Sequence, residues 1–184
     1  SLCYKKLNMS KKNSNVILRN YFKQEKDFSE IYLSFKKKIN KIKKKSYVIA
    51  ISGGPDSLAL AAMSKVYSLE KKIKLHFVLV DHNLRKKSSQ EADQVKKLLR
   101  QNDIKLTIIK NLKKFKTNIQ NQARVIRYKL LSNYCLKKNV KVILTAHNLE
   151  DQVETFLIRL SRGSGLTGLS SMKQVSKICN NNGF

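Results

Sequence analysis

Acidic residues are scarce in this chain. Twelve Asp and Glu stand against 39 Lys and Arg, a formal charge of +27 over 184 residues. A polyanionic partner, held by phosphate neutralisation and released by salt, is the first expectation from such a balance. Lys, Asn and Ile are all abundant, so AT-rich codon drift on solvated surface accounts for part of the charge. Cysteine is scarce too: Cys3, Cys135 and Cys179 are far apart and form no Cys-x-x-Cys pair. That excludes a zinc knuckle or an iron–sulfur motif and suits a reduced, cytoplasmic compartment. No apolar run approaches a membrane span, and the first residues lack a signal-peptide core. No Walker A pattern is present, which excludes the usual kinase or GTPase loop. Met9 is an alternative start, with residues 1–8 as upstream read-through. What remains is a 41% hydrophobic chain, enough for one globular domain.

The most informative stretch is Ser52-Gly53-Gly54-Pro55-Asp56-Ser57. It follows the apolar run Tyr47–Ile51 and precedes the helix-forming Leu58–Met63. A strand feeding two glycines and then a helix start makes an anion site. The backbone can approach a phosphate closely, and unpaired N–H groups point at it. Ser52 and Ser57 add neutral donors. Asp56 beside phosphates calls for a divalent cation between them, so nucleotide plus Mg²⁺ is expected, with Asp56 toward the metal. The alternative is a plain strand-to-helix turn in which Asp56 and Ser57 are only helix N-terminal residues.

Apolar spacing predicts an amphipathic helix over 28–42 within a basic extension, residues 1–45. Strands and helices then alternate: strand 46–52, helix 57–69, strand 73–81, helix 89–101, strand 104–109, helix 118–138, strand 140–146 and helix 149–162. That alternation predicts an α/β fold, a doubly wound parallel sheet with helices on both faces. The catalytic domain is expected over 46–172, with 173–184 a truncated or disordered end of it. In such sheets ligands bind beyond the carboxyl ends of the strands, where the Ser52 loop, Asp81-His82 and Ala146-His147 all fall.

Several other groups carry candidate chemistry. Asp151 and Glu154 follow His147 by four and seven residues, along one helix face. They suit Mg²⁺ or an amine, or merely complement the helix dipole. Arg159 and Arg162 flank that helix end, for RNA or phosphate contact or as part of a glycine-capped stop at Gly163. Asp81, His82 and Arg85 stand at a strand end, where they hold a nucleoside or substrate or form an ordinary Asx turn. Arg124 and Arg127, three apart on the long helix, make a natural phosphate clamp or a solvated pair.

The loop resembles the PP-loop of ATP pyrophosphatases, enzymes that cut ATP between the α- and β-phosphates. Taken with Asp-His-Asn-Leu-Arg at 81–85, Ala-Arg-x-x-Arg-Tyr at 123–128, Thr-Ala-His at 145–147, Glu-Asp-Gln-Val-Glu-Thr at 150–155 and Arg-Leu-Ser-Arg-Gly-Ser-Gly-Leu-Thr-Gly-Leu at 159–169, the chain is similar to the tRNA(Ile)-lysidine synthases over roughly 47–172. Asn148 and Glu150 depart from the family's usual His and Asp, and the family's catalytic domain continues past the point matching Phe184. The resemblance implies that ATP adenylates the wobble cytidine of a CAU-anticodon isoleucine tRNA and that free L-lysine then displaces AMP. Ser52, Gly53, Gly54, Pro55 and Ser57 would form the ATP loop, with Asp56 beside Mg²⁺. Arg127 would steady the α-phosphate, and His147, Asp151 and Glu154 would line the centre where cytidine meets lysine. A homodimer fits related enzymes. A tRNA thiolase and a non-catalytic basic RNA-binding fragment are the alternatives.

Overall fold

Tyr47-Val48-Ile49-Ala50-Ile51 is the centre of a parallel sheet, and its period-two side chains cover both faces. In the computed structural model the described residues are 15, 26–85, 87–112 and 118–146. His147, Asp151, Glu154, Arg159, Arg162 and the helix expected over 149–162 lie outside them. The chain divides between Thr145 and Ala146, and the fold below is that of the first unit.

Four strands, β1 (Ser46–Ile51), β2 (Lys74–Asp81), β3 (Leu106–Lys110) and β4 (Ile143–Thr145), alternate with helices α1 (Lys26–Ile42), α2 (Pro55–Lys71), α3 (Ser88–Arg100) and α4 (Ile119–Lys138). The spatial order is β3-β2-β1-β4. All pairings are parallel, with Ile49 opposite Phe77 on one side and Leu144 on the other. The chain steps outward from β1 to β3 and then crosses back to β4, so the order reverses at β1. Right-handed crossovers then place α2 and α3 on one face and α4 on the other. The doubly wound parallel sheet is as the alternation predicts.

Packing follows the pleat. On the α4 face, Val48 and Val78 are fully buried with Leu131, Cys135 and Val140, and Ala50, Val80 and Ile143 pack around them. The opposite face buries Tyr47, Ile49, Phe77 and Leu79. Helix α1 docks on α2 through a Lys36–Glu70 ion pair at 2.7 Å, a Tyr67 hydroxyl donating to Asn40 at 2.6 Å, and a Phe35–Tyr67 edge contact.

Strands expected to start at Ile104 and Val140 begin later. Both residues belong to helix stops. Asp103 and Asn139 are left-handed (φ +54° and +52°). The next N–H reaches back five residues, from Ile104 to the Leu99 carbonyl (3.0 Å) and from Val140 to the Cys135 carbonyl (2.9 Å). This is a Schellman ending, whose apolar residue after the turn packs back onto its helix. Lys43 and Lys72 are left-handed in the same way after α1 and α2. The turns that lead from each helix to the next strand thus rest on non-glycine residues.

Candidate active site at the sheet switch point

The order reverses at β1, the place where doubly wound sheets bind ligands beyond the strands' carboxyl ends, and the Ser52–Ser57 loop follows β1 there. Thr145 pairs with Ala50, so β4 leaves the sheet beside the loop.

Within the loop the chain turns on Gly53 (φ +92°). The dihedral favours glycine, and a Cβ there would come within 3.2 Å of Val95 Cγ2 on α3, which would have to give by a few tenths of an ångström. The backbone N–H groups of Ser52 and Gly53 converge on Ser57 Oγ at 3.2 and 3.1 Å. The Ser57 hydroxyl donates to the Gly54 carbonyl at 2.8 Å. Its one donor and two lone pairs are all used inside the loop, and the residue is 3% exposed. Ser57 therefore shapes the loop. The two N–H groups it gathers are the ones that a bound anion could take over.

Pro55 opens α2 at its first position, where a missing N–H loses nothing. Among the described residues no side chain caps this helix start, which leaves the positive end of the helix to an anionic ligand. Ser52 and Asp56 are exposed at the mouth.

Beside the loop is a cavity of about 590 Å³, lined among others by Ser52, Gly53, Asp81, His82, Arg85 and Val95. Asp81 is 4% exposed. It accepts the Asn83 N–H at 2.9 Å, an Asx turn, and the Ser89 hydroxyl at 2.8 Å. Its carbonyl accepts the Asn111 N–H at 2.8 Å. Burial pushes its pKa up. The Asn83 and Ser89 bonds, with Ser88 and Lys110, outweigh burial and hold it below the ordinary value. Asp81 thus ties β2 to the start of α3 and shapes the cavity wall.

His82, half-buried, accepts a hydrogen bond at Nε2 from Arg127 Nε (3.4 Å). That places any proton of the neutral ring on Nδ1. Burial and the Arg127 charge lower its pKa, while Asp81 works the other way. The bond joins β2 to α4 across the carboxyl edge. Arg124 is half-buried one turn earlier on α4, and Arg85 is exposed at the cavity rim. The structure therefore brings together Ser52–Ser57, Asp81, His82 and Arg85, with Arg127 joined to them through His82. Sequence reasoning missed Ser89 as the clamp on Asp81 and Val95 as the wall against Gly53. Only the placement of α3 reveals either.

A consequence for acid stability follows. The ordinary pKa of His is 6.5. His82 lies below it in the fold, and so does His76, through burial and then the charges of Lys74 and Lys138. The unfolded chain takes up protons first, so this stability is complete above about pH 6.5 and declines as pH falls toward the folded values. Asp81 adds a second loss, below its ordinary 3.8. Urea unfolding midpoints are expected to drop between about pH 7.5 and 5.5. In the His76→Gln, His82→Gln double variant the midpoint over that window should be nearly flat.

The chain belongs to the PP-loop domain family, which matches residues 28–182. Among similar proteins is the tRNA(Ile)-lysidine synthase of Wolbachia pipientis wMel, 46% identical over 127 residues, which cover 67% of this chain and 30% of that protein. That of Orientia tsutsugamushi (strain Boryong) is 43% identical over 124 residues, covering 67% of this chain and 28% of its own length. The chain thus spans less than a third of the length of these relatives. Among solved structures, the U34-tRNA thiolase NcsA from Methanococcus maripaludis with its [4Fe-4S] cluster superposes with a TM-score of 0.58 at 21% identity. The match covers 73% of this chain and 52% of that one, and it supports the fold.

Proposed function

We propose that this PP-loop domain carries the ATP-dependent chemistry of a tRNA(Ile)-lysidine synthase. The observation that carries the reading is a phosphate-type loop at the sheet's switch point, in a chain 46% identical over 127 residues to a lysidine synthase. The loop N–H groups and the open end of α2 receive the polyphosphate. The cavity beside Asp81 and His82 takes the nucleoside. The cytidine C2 oxygen attacks the α-phosphorus, and the bond to the bridging oxygen breaks, releasing pyrophosphate. The ε-amine of free lysine then attacks C2, the C2–O bond breaks, AMP leaves and the amine gives up a proton.

Arg127, reaching the site through His82, steadies the charge that grows on the α-phosphate. By the family resemblance, His147, Asp151 and Glu154 take the lysine ammonium and the cytidine, and Arg85, Arg124, Arg159 and Arg162 contact RNA. One exposed carboxylate at the loop mouth fits Mg²⁺, which is held by one or two carboxylates plus substrate phosphates. Asp56 would hold it, and the ion would neutralise the leaving pyrophosphate. The site, the RNA partner and any pairing of two copies are all parts of this proposal.

The thiolase alternative finds less support. Among the described residues the single cysteine, Cys135, is buried in the core on the α4 face, away from the loop. Burial pushes its thiol pKa up, the opposite of what a sulfur nucleophile needs.

The test is transfer of labelled lysine into a CAU-anticodon isoleucine tRNA transcript with ATP and Mg²⁺. Label that depends on ATP and disappears in Asp56→Ala is the expected result. AMP release without lysine transfer would mean a different nucleophile and would sink the reading.

A further inference from the structure

We propose a second nucleic-acid contact: a lysine rim along the amino edge of the sheet that binds RNA backbone phosphates. This edge is opposite the PP-loop, and it rests on the functional reading only in the choice of RNA as partner.

Three neighbouring strands each begin with an exposed lysine: Lys45 before β1, Lys74 opening β2 and Lys141 before β4. The Lys74 N–H donates to the Lys45 carbonyl at 2.9 Å, and the Val48 N–H donates to the Val142 carbonyl at 2.9 Å. By register Lys74 stands opposite Ser46, and Lys141 falls level with Ser46 on the other side of β1, so the two flank β1 about 10 Å apart, with Lys45 between them one residue earlier along the chain. Lys43 and Lys44 precede them, and Lys138 ends α4; all are exposed. Lys74 of β2 and Lys138 of α4 are, after burial, the charges that lower the pKa of His76 on β2.

Charge of one sign packed at this spacing is self-repelling, and no described carboxylate is in ion-pair reach of Lys45, Lys74 or Lys141. The ion pair formed nearby, Lys36–Glu70, belongs to the α1–α2 contact. Helix dipoles explain cations in a last turn, such as Lys41, Lys71 and Lys138. They do not explain lysines placed past the turn, at or just before the strand starts. Random drift in composition would scatter lysines, whereas these gather at the amino ends of three adjacent strands.

The row suits a phosphate backbone, whose charges recur at a spacing of a few ångströms. A membrane surface is a poorer match. The polar Asn139 follows Lys138 at the end of α4, and Leu136 is the exposed large apolar side chain there among the described residues. The rim and the PP-loop are separated by the length of β1, roughly 20 Å. An RNA that reaches the loop with one segment has a second segment free to lie against the rim.

The test compares two triple variants of the full chain: Lys45→Gln, Lys74→Gln, Lys141→Gln on the rim, and Lys87→Gln, Lys96→Gln, Lys129→Gln elsewhere. Binding of a tRNA transcript is followed as a function of salt. Each phosphate contact contributes about 0.7–0.9 to the slope of log K against log salt, so the rim variant should lose about 2 to 3 from it and the control less than about 1. Unchanged thermal unfolding midpoints would show that both variants keep the fold. Equal losses in the two variants would mean diffuse attraction to net charge and would overturn the proposal, as would no loss in either. Rim-dependent binding to phosphatidylserine vesicles with tRNA binding unaffected would overturn RNA as the occupant. None of these readings requires turnover, so a failure of lysine transfer leaves the test intact.

Discussion

Replacing Arg127 by alanine is expected to slow ATP-dependent lysine transfer by about 10²- to 10³-fold, the usual loss when one donor aimed at transition-state charge is removed. The structure sharpens the expectation. Arg127 donates to His82 Nε2, so its loss also removes the cation that, after burial, most lowers the His82 pKa. In Arg127→Ala the imidazole pKa should rise, and an NMR titration of the ring would read the shift. Two outcomes separate two roles. A fall in kcat with KM for ATP little changed marks a group acting on the transition state. Equal rates for Arg127→Ala and the parent, with His82 still shifted, would leave Arg127 a positioning residue and reassign the phosphate contact.

Gly53→Ala carries the second large effect, and here the cause is purely steric. The residue would need φ near +92° and would bring its Cβ to 3.2 Å from Val95 Cγ2. Strained backbone of this kind costs about 1–3 kcal/mol, so denaturant midpoints should fall. The loop N–H groups would no longer converge, and ATP affinity should fall with them. Adding Val95→Ala opens the space and leaves the dihedral cost in place. Partial recovery of stability in the double variant would therefore separate the two contributions. Full recovery would show that the conformation itself costs little, and no recovery would show that the contact was never limiting.

Much of this fold was legible because its signals are local. Short continuous apolar runs marked β1 and β2, and the Gly-Gly turn marked the loop. The misplaced starts of β3 and β4 have one cause. Ile104 and Val140 are buried apolar residues next to strands, and periodicity alone cannot tell a residue that closes a helix from one that opens a strand. The left-handed Asp103 and Asn139 decide it, and neither is the glycine that usually signals such a stop.

The site was legible one segment at a time. Asp81 was open to two readings, substrate contact or Asx turn. The Asn83 bond shows the turn, and the Ser89 bond adds a clamp. The His82–Arg127 bond links residues 45 apart in sequence. No spacing rule reaches that far, because the pair meets only after the chain reverses direction and lays α4 across the other face.

That reversal also bears on how the chain is made. During synthesis β1 acquires its β2 neighbour early, but its other edge waits for β4, which begins at Ile143. At translation rates of about 5–20 residues per second, the delay is roughly 5 to 20 s. Throughout it, a row of unpaired amide and carbonyl groups beside Val48 and Ile49 is open to any passing strand. Exposed edges of this kind nucleate aggregation. Lys43-Lys44-Lys45, directly upstream, places like charge where two nascent copies would have to align, in the manner of a gatekeeper. The same lysines that suit a phosphate backbone in the finished protein would thus keep the unfinished one apart from its own kind.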